Sequence, residues 1–417
     1  MLNWVNQFNI CCFLDNNGYQ STHHSIECLL GAGARHSISA SSGTAFARLK
    51  EFGDAHHDWI FGHLGYDLKN ETENVRSSNS DHIKFPDLFF FVPEIVIELT
   101  ADVIRIGTFD QDATEIFDAI GATDYPTRNS NEGNAHTEIL QRYTRAEYIE
   151  TINQLKRHIL RGDCYEINFC QEFYVEDILV DPLLLFQKLL ETSPNPFAAY
   201  YKIDDKFLIC ASPERYLKKT GLRVVSQPIK GTLKRDQRPG PSGGSTSDSI
   251  KTQELKGSEK DRSENVMVVD LVRNDLSKIC VEGSVQVEEL FNVYTFPQVY
   301  QMISTITGEL PEATDWMAII QATFPMGSMT GAPKRKVLDL IERYERTKRG
   351  IFSGAVGYIS PDKDFDFNVV IRSMMYNATE RYLALPAGSG ITFYSDPEAE
   401  YEECLVKLAA IRSILQD

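Results

Sequence analysis

Leu222-Arg223-Val224-Val225-Ser226-Gln227-Pro228-Ile229-Lys230-Gly231-Thr232 is the stretch that decides how this chain is read. Leu222, Val224 and Val225 are apolar or β-branched, the residues of a strand. Pro228 has no N–H to give to a ladder, so the strand must lie at an edge or end there. Gly231 lets backbone come close to a ligand. A lysine at such a strand end is a candidate nucleophile, provided burial lowers its pKa from about 10.4. An isolated lysine is far more often merely exposed, so the surroundings have to decide.

Those surroundings are a series of separate motifs. Ser212-Pro213-Glu214-Arg215 stands upstream; Asp261-Arg262-Ser263-Glu264-Asn265, Gly327-Ser328-Met329-Thr330-Gly331-Ala332-Pro333-Lys334 and Glu400-Tyr401-Glu402-Glu403 follow downstream. Together with Pro228-Ile229-Lys230-Gly231-Thr232, and in this order, they resemble the chorismate-utilising enzymes, from about Thr144 to the C-terminus. That family includes anthranilate, aminodeoxychorismate, isochorismate and salicylate synthases. Within it, Pro-Ile-Lys-Gly-Thr resembles the component I branch of aminodeoxychorismate synthase, whereas anthranilate synthases usually carry alanine at the lysine position.

Composition narrows the rest. A chain of 417 residues, 42% hydrophobic, can bury a large core in one or two domains. A net charge of -17 argues against nucleic acid or an anionic membrane as partner. Local cations can still hold an anionic substrate. The eight cysteines are scattered, without metal-ligand spacing, and read as free thiols of a reducing cytoplasm. Neither a signal peptide nor an apolar run of about 18 residues is expected.

The strand-rich halves with intervening helices suggest an α+β fold. The resemblance sharpens this to an antiparallel β-sandwich core flanked by helices, with chorismate between the layers. Residues 1–140 are expected to contribute to the sandwich, and 141–417 to form the chorismate-binding catalytic domain. In the first part, Ala32–Arg35 and Ser39–Thr44 read as loops, and Asn70–Asp81 as a polar surface loop. Leu88–Val92 and Ile95–Leu99 read as consecutive buried strands joined by Pro93. In the second, Thr144-Arg145-Ala146-Glu147 is a capping box opening a helix, and Tyr165 to Phe173 alternates as a strand. Glu259–Leu276 reads as a helix apolar on most sides, Tyr294–Ile306 as one strand and Val369–Arg372 as another. Pro239–Ser249, rich in glycine, serine and proline, reads equally as a lid or a linker.

The resemblance then assigns roles. Lys230 would be the covalent catalyst and Glu214 the general acid, its pKa raised by burial. Glu264 and Glu403 would bind Mg²⁺, supported by Asp261 and Glu400; oxygen ligands suit that ion. Glu400, Glu403 and Lys407 fall on neighbouring positions of one helix, where a solvated charged face is the ordinary explanation. Arg372, assisted by Tyr358, would hold the enolpyruvyl carboxylate, since arginine suits a planar bidentate contact. Gly231, Thr232, Gly388, Gly390 and Lys407 would contact substrate, with Ser328 and Thr330 nearby. The chain departs from the family at three positions. Glu166 stands where water-activating members have lysine and ammonia-using members often glutamine. Gln301 stands where histidine is common, and Cys404 where threonine is.

The reaction so implied joins chorismate and ammonia into 4-amino-4-deoxychorismate, toward para-aminobenzoate and folate, through a lysine-bound intermediate. No glutaminase-like nucleophile motif is recognisable and the chain ends soon after Lys407, so a separate glutamine amidotransferase partner is expected to supply ammonia. Anthranilate synthase component I, isochorismate synthase and a non-catalytic chorismate-binding subunit stay open as alternatives. Lys230 argues against the first and Glu166 against the second.

Overall fold

The computed structural model describes residues 1–19, 23, 26–123, 138–235, 245–295 and 299–416. Two sheets dominate it, one of eleven strands and one of ten. Every strand pairing among the described residues is antiparallel. The expected sandwich is therefore present. Its inner layer draws Cys12, Leu29, Ala199 and Cys210 from one sheet and Phe61, Phe91 and Val356 from the other. On the outer face of the larger sheet, Phe169, Phe173 and Leu385 join a second core with Ile152 and Leu155 of the helix Arg145–Leu160. That helix opens on the expected capping box, with Thr144 and Glu147 each accepting from the other's backbone N–H.

Strands from the first 140 residues enter both sheets. Ile10–Asp15 pairs with Phe197–Ile203 in the larger sheet, and Ile60–Leu64 pairs with Ala355–Ile359 in the smaller. Leu88–Val92 and Ile95–Leu99 are both strands, but Pro93-Glu94 carries the chain from one sheet to the other, so they do not pair. Alternation cannot distinguish a hairpin from such a crossing. The same kind of crossing ends a strand at Val369, and the next begins at Ser373, so Val369–Arg372 is a corner rather than a strand.

Other expectations are corrected. Ser39 and Ala40 belong to a strand, His36–Ala40. Asn70–Asp81 starts with a helical turn, and Ser77 and Asn79 bond Glu342 and the carbonyls of Glu342 and Glu345. The rest is a loop as expected, with Asn74, Arg76, Ser78 and Ser80 exposed, while Ser77 and Asn79 satisfy a packed helix end. Tyr294 and Thr295 finish the strand Gln286–Thr295 and Val299 opens a second, Val299–Glu309; residues 296–298 lie outside the described residues. Of Pro239–Ser249, residues 239–244 also lie outside them, while Ser245 opens a helix, Ser245–Gly257. Glu259–Ser277 is helical as expected but one-sided: Val268, Val269, Val272 and Leu276 are buried while Val266 is exposed.

The organising stretch takes an unusual path. Arg223–Gln227 and the start of Ile229–Lys234 run along Val299–Glu309 in one register, Ser226 opposite Ile306 and Ile229 opposite Ile303. Pro228 interrupts the ladder without shifting it, and its carbonyl accepts from the Ser304 N–H. The first half is also paired on its other side, by Arg215–Thr220. The second half has no such neighbour among the described residues, consistent with the proline marking a strand edge. A register shift follows between Ile229 and Thr232. Gly231 sits there at φ +85°, a value glycine adopts without strain. Such a bulge re-aims one side chain, here Lys230.

Candidate active site

Two crossings and two strand ends enclose a cavity of about 920 Å³. Ser212-Pro213-Glu214 is one crossing, where the chain leaves Lys206–Ser212 of the larger sheet for Arg215–Thr220 of the smaller. Val370-Ile371-Arg372 is the other, running back in the opposite sense. Arg372 holds φ +52°, an uncommon value for a side-chain-bearing residue. The helices Glu259–Ser277 and Pro397–Gln416 close the remaining sides.

Lys230 is buried, and its Nζ donates to Glu166 Oε1 at 2.9 Å. Burial alone would lower its pKa, but Glu166, Glu264 and Glu214 outweigh this and hold the ammonium form above the usual lysine range. Gly390 lies against the pair: a Cβ there would come 2.9 Å from Lys230 Nζ and 3.1 Å from Glu166 Oε1. Glu214 is fully enclosed, and burial raises its pKa to about 7; a hydrogen bond with Ser328 and the charges of Lys230 and Lys407 oppose that rise.

A second group lies between the two helices. Lys260 Nζ stands 2.9 Å from Glu400 Oε1, 3.6 Å from Glu403 Oε2 and 3.9 Å from Glu264 Oε1. Burial raises Glu264 to about 7 despite Lys230 and Lys260. Burial also pushes Glu403 up, but Lys407, Lys260 and Lys230 outweigh it and hold this carboxyl at about 2. Lys407 bridges Glu403 Oε1 at 2.8 Å and the Gly388 carbonyl at 2.7 Å. Glu264 Oε1 and Glu400 Oε2 are buried without a hydrogen-bond partner. Unpartnered carboxylate oxygens from two helices are a donor set suited to a hard divalent cation. Among the described residues no open, ready-made metal cage is found; the three carboxylates close instead on the Lys260 ammonium.

The cavity thus gathers Glu214, Lys230, Gly231, Asp261, Glu264, Arg372, Gly388, Gly390, Glu403 and Lys407. Glu166 and Glu400 join through their lysine partners. Asp261 lines the same cavity against Gly231, where an added Cβ would meet its Oδ1 at 3.1 Å, and forms no ion pair with Lys260. Gln301 also lines it, buried, its Oε1 unpartnered. Thr330 spends its hydroxyl on the Met326 and Gly327 carbonyls. Thr232 pairs with Gln301 in the ladder; its side chain lies outside the described residues.

Tyr358 is a correction. It lines a separate cavity of about 60 Å³ with Asp366 and Asn368, its ring 5.4 Å from that of Trp59. Two strands, Arg215–Thr220 and Phe365–Val369, separate its strand from the one leading to Lys230. Lys260 is the residue that sequence reasoning missed. Its spacing of four from Glu264 was a usable signal, but only packing shows that it reaches the C-terminal helix.

The family description "chorismate binding enzyme" matches residues 11–413. The chain belongs to the chorismate-binding enzyme family. Over 358 residues this family member is 33% identical to aminodeoxychorismate synthase component 1 of Salmonella typhimurium, covering 85% of this chain and 76% of that one. It is 30% identical over 367 residues to the Bacillus subtilis protein of the same name, with the same two shares. Among solved structures, anthranilate synthase component I of Streptococcus pneumoniae shares the fold at a TM-score of 0.80, with 23% identity over 95% of both chains. The recognition made from motifs therefore holds, and the match extends into the N-terminal region.

Proposed function

We propose that this chorismate-binding enzyme is an aminodeoxychorismate synthase component 1, an aminating transferase acting on chorismate. The observation that carries the reading is Lys230, turned by a bulge into the shared cavity and paired with Glu166 at 2.9 Å. Kinship to two enzymes of that name supports it. The Arg372 guanidinium and the Lys407 ammonium suit the two carboxylates of such a substrate. Lys230, once it has passed its proton to a base, would bond to C2 of chorismate. Glu214, still holding its proton near neutrality, would pass that proton to the departing C4 hydroxyl, which leaves as water. Ammonia would then bond to C4, and the bond to Lys230 would break, returning the amine. Splitting one substitution in two lowers each barrier.

Glu264 and Glu403, with Glu400 behind them, are the residues that would hold Mg²⁺; when bound, the ion would neutralise a substrate carboxylate. Ammonia would come from a glutamine amidotransferase subunit, as the "component 1" of the relatives' names implies. The eight free cysteines suit a reducing cytoplasm, and among the described residues no helix is long and apolar enough to cross a membrane.

The test is product identification. Pure protein with chorismate, Mg²⁺ and ammonium should yield aminodeoxychorismate by mass spectrometry, convertible to para-aminobenzoate by an added lyase. Anthranilate would move the assignment to anthranilate synthase. Bound chorismate without product, even when a glutaminase subunit is supplied, would favour a binding subunit.

A further inference from the structure

Three carboxylates converge from two helices; the Lys260 ammonium stands among all three, and Lys407 pairs with Glu403 alone, at 2.8 Å. Glu264 and Glu403 line the cavity and Glu400 is fully buried behind them. Buried carboxylates placed together repel and need a compensating cation. Lys260 supplies it, but incompletely. Its one short contact goes to Glu400 Oε1 at 2.9 Å; Glu403 at 3.6 Å and Glu264 at 3.9 Å lie beyond hydrogen-bond distance. Glu400 Oε2 and Glu264 Oε1 stay unpartnered although buried. Lys407 satisfies one oxygen of Glu403, but the three donors of Lys260 leave those two buried oxygens without a hydrogen bond. A divalent ion brings twice the charge and about six coordination positions. The Lys260 side chain is also 38% exposed on a flexible stem, so it can leave without breaking the core.

We propose that Lys260 is a resident counter-cation, holding the carboxylate cluster together until magnesium displaces it, so that lysine and metal compete for one position. This rests on the magnesium reading given above. The lysine sets how tightly the metal binds and keeps the two helices docked before it arrives. It is a positioning residue, acting through the metal ligands.

The experiment is a magnesium titration of the full chain without chorismate, followed by calorimetry and by thermal unfolding, with wild type, Lys260→Met and Lys260→Arg. Lys260→Met should unfold at a lower temperature without metal, bind magnesium about tenfold tighter, and recover stability as metal is added. Lys260→Arg, whose guanidinium has five donors, should clamp the carboxylates better and bind magnesium more weakly than wild type. A purely structural lysine would weaken binding in both. If wild type binds magnesium but Lys260→Met binds it no tighter, competition is overturned and the magnesium reading stands. Should Lys260→Met fail to fold at any magnesium concentration, the milder Lys260→Gln takes its place: tighter binding than wild type supports the proposal, and binding no tighter overturns it. No magnesium binding by any of the three would overturn both.

Discussion

Lys230 can attack only as a free amine, yet the Glu166 carboxylate at 2.9 Å favours its ammonium form. The same carboxylate is the nearest base to take the proton, so one contact both restrains and enables the nucleophile. Lys230→Ala should lose nearly all turnover and every covalent adduct, read by mass spectrometry of acid-quenched enzyme; wild-type-like activity would remove lysine from the reaction. Glu214 has the complementary task. Its pKa of about 7 means that the carboxyl keeps its proton below that pH and loses it above. With saturating magnesium, kcat/KM should therefore fall on an alkaline limb near pH 7. Glu214→Gln, which cannot give up a proton, should lower the rate by about 10²- to 10⁴-fold. Its residual rate should cross pH 7 without that limb. A limb unchanged in the variant would assign it to another group.

At the scale of elements, the strands Glu166–Val175 and Tyr382–Ile391 set how much room the pair has. Gly390 stands opposite Asn168 in their ladder, beside Lys230, Glu166 and Glu264. Gly390→Ala would place a methyl 2.9 Å from Lys230 Nζ and 3.4 Å from Glu264 Oε2. The backbone does not need a positive φ there, so the fold should survive with a midpoint of urea denaturation close to wild type. The far end of the lysine must move, and kcat should fall about tenfold or more, because small misplacements weaken a near-attack geometry strongly. Unaltered kcat would show that the pair tolerates displacement. The capping box was legible because its residues are consecutive. The bulge was not, because Gly231 marks permission for an odd φ and only the facing strand sets the register.

Across the whole molecule, the two sheets are woven from both ends of the chain. Removing residues 1–140 would strip Ile10–Asp15 from Phe197–Ile203 and Ile60–Leu64 from Ala355–Ile359. Tyr201 and Val356, now fully buried, would lose their cover, and two long apolar edges would open to aggregation. A fragment of residues 141–417 should therefore show no cooperative urea transition by circular dichroism, while the full chain shows one. A sigmoidal transition in the fragment would make the C-terminal part an independent domain.

Short-range chemistry was readable from the order of residues alone. The Pro228–Thr232 motif, the Ser-Pro-Glu motif, the acidic helices and the family they resemble were all read from short runs of consecutive positions. Which of these meet is set by pairings between residues far apart. Glu166 and Lys230 are 64 positions apart, and Lys260 and Glu400 are 140 apart. Tyr358 belongs to a strand of the right sheet but faces another cavity. Local patterns report what a residue can do, because side-chain chemistry and backbone propensity act over one or two turns. Strand order and crossings between sheets decide what it faces, and these depend on burying the whole apolar surface at once.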